Sequence, residues 1–236
     1  MATRTESVAV EDGTFEVSIW VPERGHGPGL LLVQEIFGVG AYIRGVAADL
    51  AALGYVVAAP DLFWRLQPGW APVNDEDGLK RSMELLSHFD AQAGVADLQA
   101  ALDRLNGLPE VSGGTGALGF CLGGSLAYAL AARAKLTALV SFYGSQVPGS
   151  LDLLDSIDCP AQFHFGGSDP YISRDQVAAV ERAVAGRPDM EIHVQEEGGH
   201  AFHNREAPIF HQPGPAARAW RLTEEFLARR LPAGGP

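Results

Sequence analysis

The chain has 236 residues, of which 47% are hydrophobic and 19% are charged, and its formal net charge is −12 at pH 7. This length and apolar content are typical of an α/β domain with a sizeable core, so we expect a single domain over residues 1–236. The negative charge argues against nucleic acids and anionic membranes as partners, because both bind basic patches, and no run reaches the roughly 18 apolar residues of a membrane helix.

The cysteine content and the N-terminal segment are typical of a cytoplasmic protein. Cys121 and Cys159 are the two cysteines, which is too few for a disulfide framework. Residues 1–13 contain no apolar stretch of the length found in signal peptides. We therefore expect a cytoplasmic protein with reduced thiols, in which Cys159, placed before a proline, is inert and partly buried.

In the first third of the chain, predicted strands alternate with a predicted helix. Phe15–Val21 alternates apolar and polar residues, as a half-buried strand does. Gly29–Val33 and Tyr55–Ala59 are continuously apolar, which is typical of strands covered on both faces, and Tyr42–Leu53 between them has a helical pattern. Residues 62–89 interrupt this alternation with tryptophans, prolines and charges. We expect this excursion either to cover an active site or to be an ordinary surface loop.

The remainder of the chain continues the alternation of strands and helices. Strands are predicted over Thr115–Phe120, Leu136–Tyr143, Ala161–Phe165 and Glu191–Gln195, and helices over Asp90–Asn106, Ser125–Ala134, Ser173–Ala185 and Ala216–Arg230. Such alternation predicts an α/β fold with a mostly parallel central sheet and helices on both faces.

Gly119-Phe120-Cys121-Leu122-Gly123 links a predicted strand to a predicted helix. A G-x-C-x-G sequence at such a junction is typical of a nucleophile elbow, a sharp turn whose glycines make room beside the nucleophile. Backbone N–H groups at the start of the helix would then stabilise an oxyanion and lower a thiol pKa. The alternative is a buried free cysteine at a helix start.

Glu35, Cys121, Asp169 and His200 each lie in a segment that follows a predicted strand. Ligands and catalytic groups of parallel sheets lie beyond the carboxyl ends of the strands. The order cysteine, aspartate, histidine is that of α/β-hydrolase triads, so we predict a nucleophile, an orienting acid and a base in turn. The alternatives are that Asp169, which precedes a proline, only caps its loop, and that His200 is a polar loop residue.

Six motifs spread over nearly the whole chain closely resemble the dienelactone hydrolase family: QEIFG, APDLF, FDAQAGVADLQAAL, GFCLGG, FHFGGSD and EEGGHAF. The resemblance implies an α/β-hydrolase fold, a small-molecule substrate and hydrolysis of a carboxylic ester or lactone through an acyl-enzyme on Cys121. It also implies that Glu35 helps to generate the thiolate, that the backbone N–H groups of Ile36 and Leu122 form an oxyanion hole, and that the protein is monomeric.

The chain departs from this family where the substrate carboxylate would bind. Leu79 and Asn204 occupy the places of two arginines that hold the carboxylate in the family, and Met83 replaces an aromatic residue, while Arg81 and Arg205 lie close by in sequence. We therefore expect a less anionic ester as substrate. The residues expected to contact the substrate are Phe37, Trp64, Arg81, Phe202 and Arg205.

Other sequence patterns predict no cofactor and no metal. Gly114–Gly119 matches G-x-G-x-x-G but lies within a predicted strand, whereas a dinucleotide fingerprint opens a helix. His200 and His203, near Glu196 and Glu197, lack the H-E-x-x-H spacing of a zinc site. Two other functions stay open: a non-catalytic small-molecule binding protein on a hydrolase fold, and a redox-sensing thiol at Cys121.

Overall fold

The computed structural model describes residues 1–234, whose eight strands form one sheet. The strands are β1 (Ala2–Val10), β2 (Gly13–Val21), β3 (Gly27–Val33), β4 (Val56–Pro60), β5 (Val111–Phe120), β6 (Leu139–Phe142), β7 (Ala161–Gly166) and β8 (Met190–Gln195). Their order across the sheet is β1-β2-β4-β3-β5-β6-β7-β8. β2 is antiparallel to both neighbours, and the pairs from β4 across to β8 are parallel. The predicted α/β fold with a mostly parallel sheet is confirmed.

Residues 1–234 contain six helices, five in connections between strands and the sixth after β8. They are α1 (Ala41–Ala52), α2 (Glu76–Leu86), α3 (Ala91–Asn106), α4 (Leu122–Ala131), α5 (Arg174–Val184) and α6 (Pro213–Arg230). Two 3₁₀ turns lie over Val147–Gly149 and Leu151–Ser156. None of the helices in the described part of the chain combines the length and apolarity that crossing a bilayer requires.

Helices cover the centre of the sheet on both faces. Every residue of β3 and β4 is buried, which accounts for their continuously apolar sequences. Gly29 of β3 packs against Leu105 of α3 on one face, whereas Gly116 of β5, paired with Leu30, packs against Leu231 after α6 on the other. This layering leaves the carboxyl edge of the parallel strands as the place where loops can gather.

The sequence patterns did not predict β1. This strand pairs with β2 at the edge of the sheet, and Val8 is its one buried residue. An edge strand with one buried side chain carries almost no apolar signal, because its stability comes from backbone pairing rather than from a core face. The hairpin turn at residues 11–12 fixes its register against β2.

The excursion over residues 62–89 contains α2, which begins after Asp75. The Asp75 carboxylate accepts a hydrogen bond from the Gly78 backbone N–H at 2.8 Å, a standard N-cap. Glu76 and Asp77 place further negative charge in the first turn, where it interacts favourably with the positive end of the helix dipole. These local contacts determine where α2 begins.

Candidate active site

Cys121 lies on a strained turn between β5 and α4. Its backbone has φ 53° and ψ −114°, a left-handed conformation that a non-glycine residue rarely adopts. A Cβ atom on Gly119 would collide with the Gly123 carbonyl, and one on Gly123 would collide with the Val33 carbonyl. The two glycines therefore allow the close approach that this turn requires, and the turn presents Cys121 at the carboxyl edge of the sheet.

Cys121, His200 and Asp169 form a continuous hydrogen-bonded line. His200 Nε2 lies 3.1 Å from Cys121 Sγ, and His200 Nδ1 lies 2.7 Å from Asp169 Oδ2. The second carboxylate oxygen of Asp169 accepts the backbone N–H groups of Tyr171 at 2.7 Å and Ile172 at 3.2 Å. The structure therefore brings together, from the ends of β5, β7 and β8, the three side chains that the chain order singled out.

The surroundings of His200 favour its protonated form. Burial alone would lower the pKa of His200, but negative charge on Cys121 and the hydrogen bond to Asp169 outweigh burial and raise that pKa. The ring of His200 thus lies between two groups that each favour a proton on it, Cys121 Sγ at 3.1 Å and Asp169 Oδ2 at 2.7 Å. The line can therefore carry a proton from the sulfur to the ring.

Glu35 is buried beside this line, in the turn that follows β3. Tyr143 donates its hydroxyl hydrogen to one carboxylate oxygen at 3.1 Å, and Asn204 donates an amide hydrogen to the other at 2.7 Å. Burial raises the pKa of Glu35 to about 7, although these hydrogen bonds and the charge of His200 act in the opposite direction. A carboxyl group with this pKa exchanges its proton near neutrality, which an ordinary glutamate does not.

The Glu35 carboxylate is expected to make the stability of the protein fall as the pH rises. Its folded-state pKa lies above the ordinary value of 4.5, so the folded chain binds this proton more tightly than the unfolded chain. Between about pH 5 and pH 8 the folded state should therefore lose roughly 2–3 kcal/mol relative to Glu35→Gln, which does not titrate. Urea unfolding of both proteins across this range measures the difference, and a constant difference would contradict the raised pKa.

Two backbone N–H groups near Cys121 in the chain or in the cavity have no acceptor among residues 1–234. The turn Glu35–Gly38 is closed by a hydrogen bond from the Gly38 N–H to the Glu35 carbonyl at 3.2 Å. This bond leaves the Ile36 N–H without an acceptor among residues 1–234. Leu122 is the first residue of α4, so its N–H has no acceptor within the helix. Ile36 lies within this turn, and Leu122 directly follows Cys121 in the chain. Neither N–H group is used inside the protein, so each could donate to an oxygen of a bound molecule.

The thiol opens into a cavity with an apolar wall. Glu35, Cys121 and His200 line its base, and the rest of its lining consists of Ile36, Phe37, Leu79, Met83, Leu86, Ser145, Tyr171, Ala201 and Phe210. The three α2 residues recur at intervals of four and three positions, which places them on one face of the helix. No arginine or lysine of the described residues belongs to this lining. The excursion over residues 62–89 thus supplies one wall of the cavity.

Of the five residues predicted to contact the substrate, Phe37 lines the cavity and two aromatic residues do not. Trp64 donates its indole hydrogen to Asp97 at 3.0 Å and stacks on Phe15. Phe202 has no exposed surface and packs edge-on against Tyr143. Neither Trp64 nor Phe202 lines the cavity, because both rings are occupied in packing the core around the site.

The two arginines predicted to contact the substrate also lie outside the cavity. The Arg81 guanidinium covers the ring of Trp70, 4.9 Å from its centre. Two helical positions correspond to a rotation of about 200°, so Arg81 faces away from the cavity wall formed by Leu79 and Met83. Arg205 pairs with Asp49 at 2.7 Å on the surface. Neither arginine therefore lines the cavity in which the substrate is expected.

Several cavity residues escaped the sequence patterns. Leu86 could have been found, since it extends the apolar face of α2 that begins at Leu79. Tyr171 and Phe210 lie in irregular segments, where no periodicity marks the inward-facing side chain.

The described residues contain no group of three or more side chains that could bind a metal ion. His203 Nδ1 lies 2.7 Å from the Tyr42 hydroxyl instead.

An eight-stranded sheet in this order, with a sharp strand–turn–helix junction at its centre, defines an α/β-hydrolase. The family model for the dienelactone hydrolase family matches residues 15–231, and the chain belongs to this family. It is therefore a hydrolase of the ester and lactone type, as the motifs predicted.

Known relatives cover nearly the whole length of the chain. A carboxymethylenebutenolidase from Pseudomonas sp. (strain P51) is 33% identical over 98% of both proteins. A carboxymethylenebutenolidase from Pseudomonas putida is 34% identical over 95% of this chain and 96% of its own length. Among solved structures, a protein from Klebsiella pneumoniae subsp. pneumoniae assigned to the dienelactone hydrolases has a TM-score of 0.83 and 25% identity, over 97% of this chain and 98% of that one.

Proposed function

We propose that the protein hydrolyses uncharged carboxylic esters or lactones through an acyl-enzyme on Cys121. The observation that carries this proposal is the line from Cys121 Sγ through His200 to Asp169, with contacts of 3.1 and 2.7 Å. A nucleophile, a base within reach of it and an acid that orients the base are the three parts that acyl transfer requires.

In the first half of the reaction, the Cys121 thiolate attacks the substrate carbonyl carbon. The carbonyl π pair moves to oxygen, and the N–H groups of Ile36 and Leu122 stabilise the resulting negative charge. As the tetrahedral intermediate collapses, His200 gives its proton to the departing alkoxide, which leaves as an alcohol. For a lactone the alcohol stays attached to the acyl group.

In the second half, His200 takes a proton from water, whose oxygen attacks the thioester carbonyl. Collapse of this second intermediate breaks the carbon–sulfur bond and releases the carboxylic acid, and Cys121 and His200 return to their starting state. We assign Glu35 a supporting role in thiolate formation, because its carboxyl lines the same cavity and has a pKa of about 7. Asp169 keeps the ring of His200 in one orientation throughout.

The cavity lining supports an uncharged substrate. Apart from Ser145, its wall consists of aliphatic and aromatic side chains, and no arginine or lysine of residues 1–234 lines the cavity. The one cationic ring in the lining, that of His200, is already paired with Cys121 and Asp169. A carboxylate bound there would lose its hydration without gaining a partner, at a cost of several kcal/mol. An apolar acyl chain, by contrast, gains about 0.8 kcal/mol for each methylene group that it buries.

A burst experiment tests the acyl-enzyme. Rapid mixing with 4-nitrophenyl hexanoate should release one equivalent of 4-nitrophenol per protein before steady turnover begins, and mass spectrometry of the quenched mixture should find the hexanoyl group on Cys121. Binding of the ester without release of 4-nitrophenol would favour a binding protein. Modification of Cys121 by peroxide alone, without ester turnover, would favour a redox sensor.

Leu79→Arg is expected to change the preference for substrate charge. Two esters that differ in a terminal carboxylate, 4-nitrophenyl hexanoate and mono-4-nitrophenyl adipate, separate charge from size. The wild type should prefer the hexanoate by at least about tenfold in kcat/KM, and Leu79→Arg should reduce or reverse this ratio because it places a cation in the cavity. Leu79→Met is the control and should keep the wild-type ratio. An unaltered ratio in Leu79→Arg would contradict the position assigned to this wall.

A further inference from the structure

Trp70 lies between the cavity wall and the turn that carries Ile36. It belongs to the excursion over residues 62–89, and it is buried although it does not line the cavity. Its indole N–H donates to the Ile36 carbonyl at 3.1 Å and to the Ser82 hydroxyl of α2 at 3.2 Å. A single donor thus connects the loop before α2, the helix itself and the turn after β3.

The indole is held firmly at this junction. The Arg81 guanidinium covers its ring, 4.9 Å from the ring centre. On the other side, the Trp70 backbone carbonyl lies so close to Gly38 that a Cβ atom there would collide with it. Gly38 has φ 71°, so the end of the turn is shaped for this approach. These contacts fix both the ring and the backbone of Trp70 against Glu35–Gly38.

The hydrogen bond to Ile36 acts on the central peptide of that turn. The turn is closed by the bond from Gly38 to Glu35, which leaves the Ile36 carbonyl free of internal partners. Flipping the central peptide of a β-turn interconverts its types and changes the dihedral angles of the residue that carries it. A flip here would rotate the Ile36 carbonyl away from the indole and leave that buried carbonyl unpaired. The Ile36 N–H belongs to the preceding peptide, and the changed ψ of Ile36 would alter the orientation of that peptide relative to the rest of the turn.

We propose that Trp70 is a positioning residue for the oxyanion hole: its indole N–H fixes the carbonyl of Ile36, the residue whose N–H is the oxyanion donor, and its bond to Ser82 holds α2 in the same frame. This inference rests on the proposed function, since it takes the Ile36 N–H as one oxyanion donor. It also assigns Arg81 a role, because the guanidinium that faces away from the substrate packs the ring of Trp70. The apolar wall and the oxyanion hole are then fixed as one unit.

Trp70→Phe tests the proposal, because phenylalanine keeps an aromatic ring under Arg81 and lacks the N–H. The matched control is Trp64→Phe, which also removes an indole donor from the excursion, but one that bonds to Asp97. For each variant, the pre-steady-state acylation rate with 4-nitrophenyl hexanoate is compared with the rate at which iodoacetamide alkylates Cys121. Alkylation needs the thiolate but develops no oxyanion, so it reports on Cys121 and His200 alone.

We expect Trp70→Phe to lower the acylation rate about tenfold, as the loss of one well-placed hydrogen bond would, with KM and the alkylation rate within about twofold of wild type. Trp64→Phe should leave all three unchanged. An unchanged acylation rate in Trp70→Phe would overturn the proposal, and so would a parallel loss of acylation and alkylation. Turnover that survives Cys121→Ala would instead overturn the proposed function, so the two failures are distinguishable.

A measurement on the wild type covers the case in which Trp70→Phe does not fold. Butanal forms a hemithioacetal with Cys121, whose former carbonyl oxygen would occupy the oxyanion hole, whereas the methyl disulfide that methyl methanethiosulfonate forms with Cys121 carries no oxygen. In protein labelled with ¹⁵N at its indole nitrogens, the Trp70 Nε1–H resonance should shift in the butanal adduct and stay in place in the methyl disulfide. Equal shifts in both adducts, or none in either, would overturn the proposal.

Discussion

Cys121→Ala is expected to reduce turnover of 4-nitrophenyl hexanoate by about 10⁴-fold or more, the usual consequence of removing the nucleophile of a triad. Without sulfur there is no acyl-enzyme, and the burst of 4-nitrophenol should disappear together with steady turnover. His200 alone can only direct water at the ester, because the first bond to the acyl carbon has lost its donor. The variant should still fold, since alanine removes one partly exposed atom and leaves the glycines of the turn in place.

Cys159→Ala is the matched control. Cys159 is the other free thiol, it is buried outside the cavity, and burial raises its pKa to about 11. A thiol of this kind is almost wholly protonated at neutral pH and is therefore a poor nucleophile. Cys159→Ala should keep full activity. Turnover that persists in Cys121→Ala would show that water attacks the ester directly and would exclude an acyl-enzyme on this residue.

The position of the triad could be predicted from the sequence because two regularities of parallel sheets act together. Continuous apolar strands are easy to recognise, and their carboxyl ends lie along one edge of the sheet. Cys121 follows such a strand, and Asp169 and His200 follow β7 and β8, which alternate apolar and polar residues. The proximity of the three side chains therefore follows from topology without knowledge of any side-chain contact. The glycines around Cys121 add the local signal, since few other junctions need two positions without side chains.

The substrate contacts could not be predicted in this way. Trp64 and Trp70 lie six positions apart in an irregular segment, and no periodicity shows that one ring bonds to Asp97 and the other to the Ile36 turn. The orientation of Arg81 could not be predicted for a different reason. The helical periodicity of α2 is clear from the sequence, but which face of α2 lines the cavity is determined by its tertiary packing. Sequence distance from a family position is therefore a poor guide to which face a residue occupies.

Leu79 and Asn204, at the two positions where the family has arginine, make different contacts in this chain. Leu79 is part of the apolar wall of the cavity. Asn204 instead donates to Glu35 at 2.7 Å, and its carbonyl oxygen accepts the Glu206 backbone N–H at 3.0 Å. A backbone N–H can only donate, so the orientation of the Asn204 amide is fixed and its NH₂ group must face Glu35. A neutral donor offsets the burial of Glu35 less than a cation would, which accords with a pKa of about 7.

Asp169→Asn is the second substitution with a very large expected effect, a loss of about 10³–10⁴-fold in kcat with the fold retained. The reason lies in the second oxygen of the carboxylate. Asp169 Oδ1 accepts the backbone N–H groups of Tyr171 and Ile172, and the carbonyl oxygen of asparagine would stay there because an NH₂ group cannot accept them. The asparagine NH₂ would therefore replace Oδ2 and point at His200 Nδ1, 2.7 Å away.

That donor would force the wrong tautomer on His200. With Nδ1 as an acceptor, the neutral ring carries its proton on Nε2, the nitrogen that lies 3.1 Å from Cys121 Sγ. A ring in this state cannot take the thiol proton, and without the carboxylate the imidazolium also loses a charge that stabilises it. Single-turnover acylation of Asp169→Asn should consequently be slow and should recover as rising pH ionises the thiol directly. Asp175→Asn, an exposed acid in the first turn of α5, should behave as wild type, and a rate for Asp169→Asn close to that control would refute the assigned role.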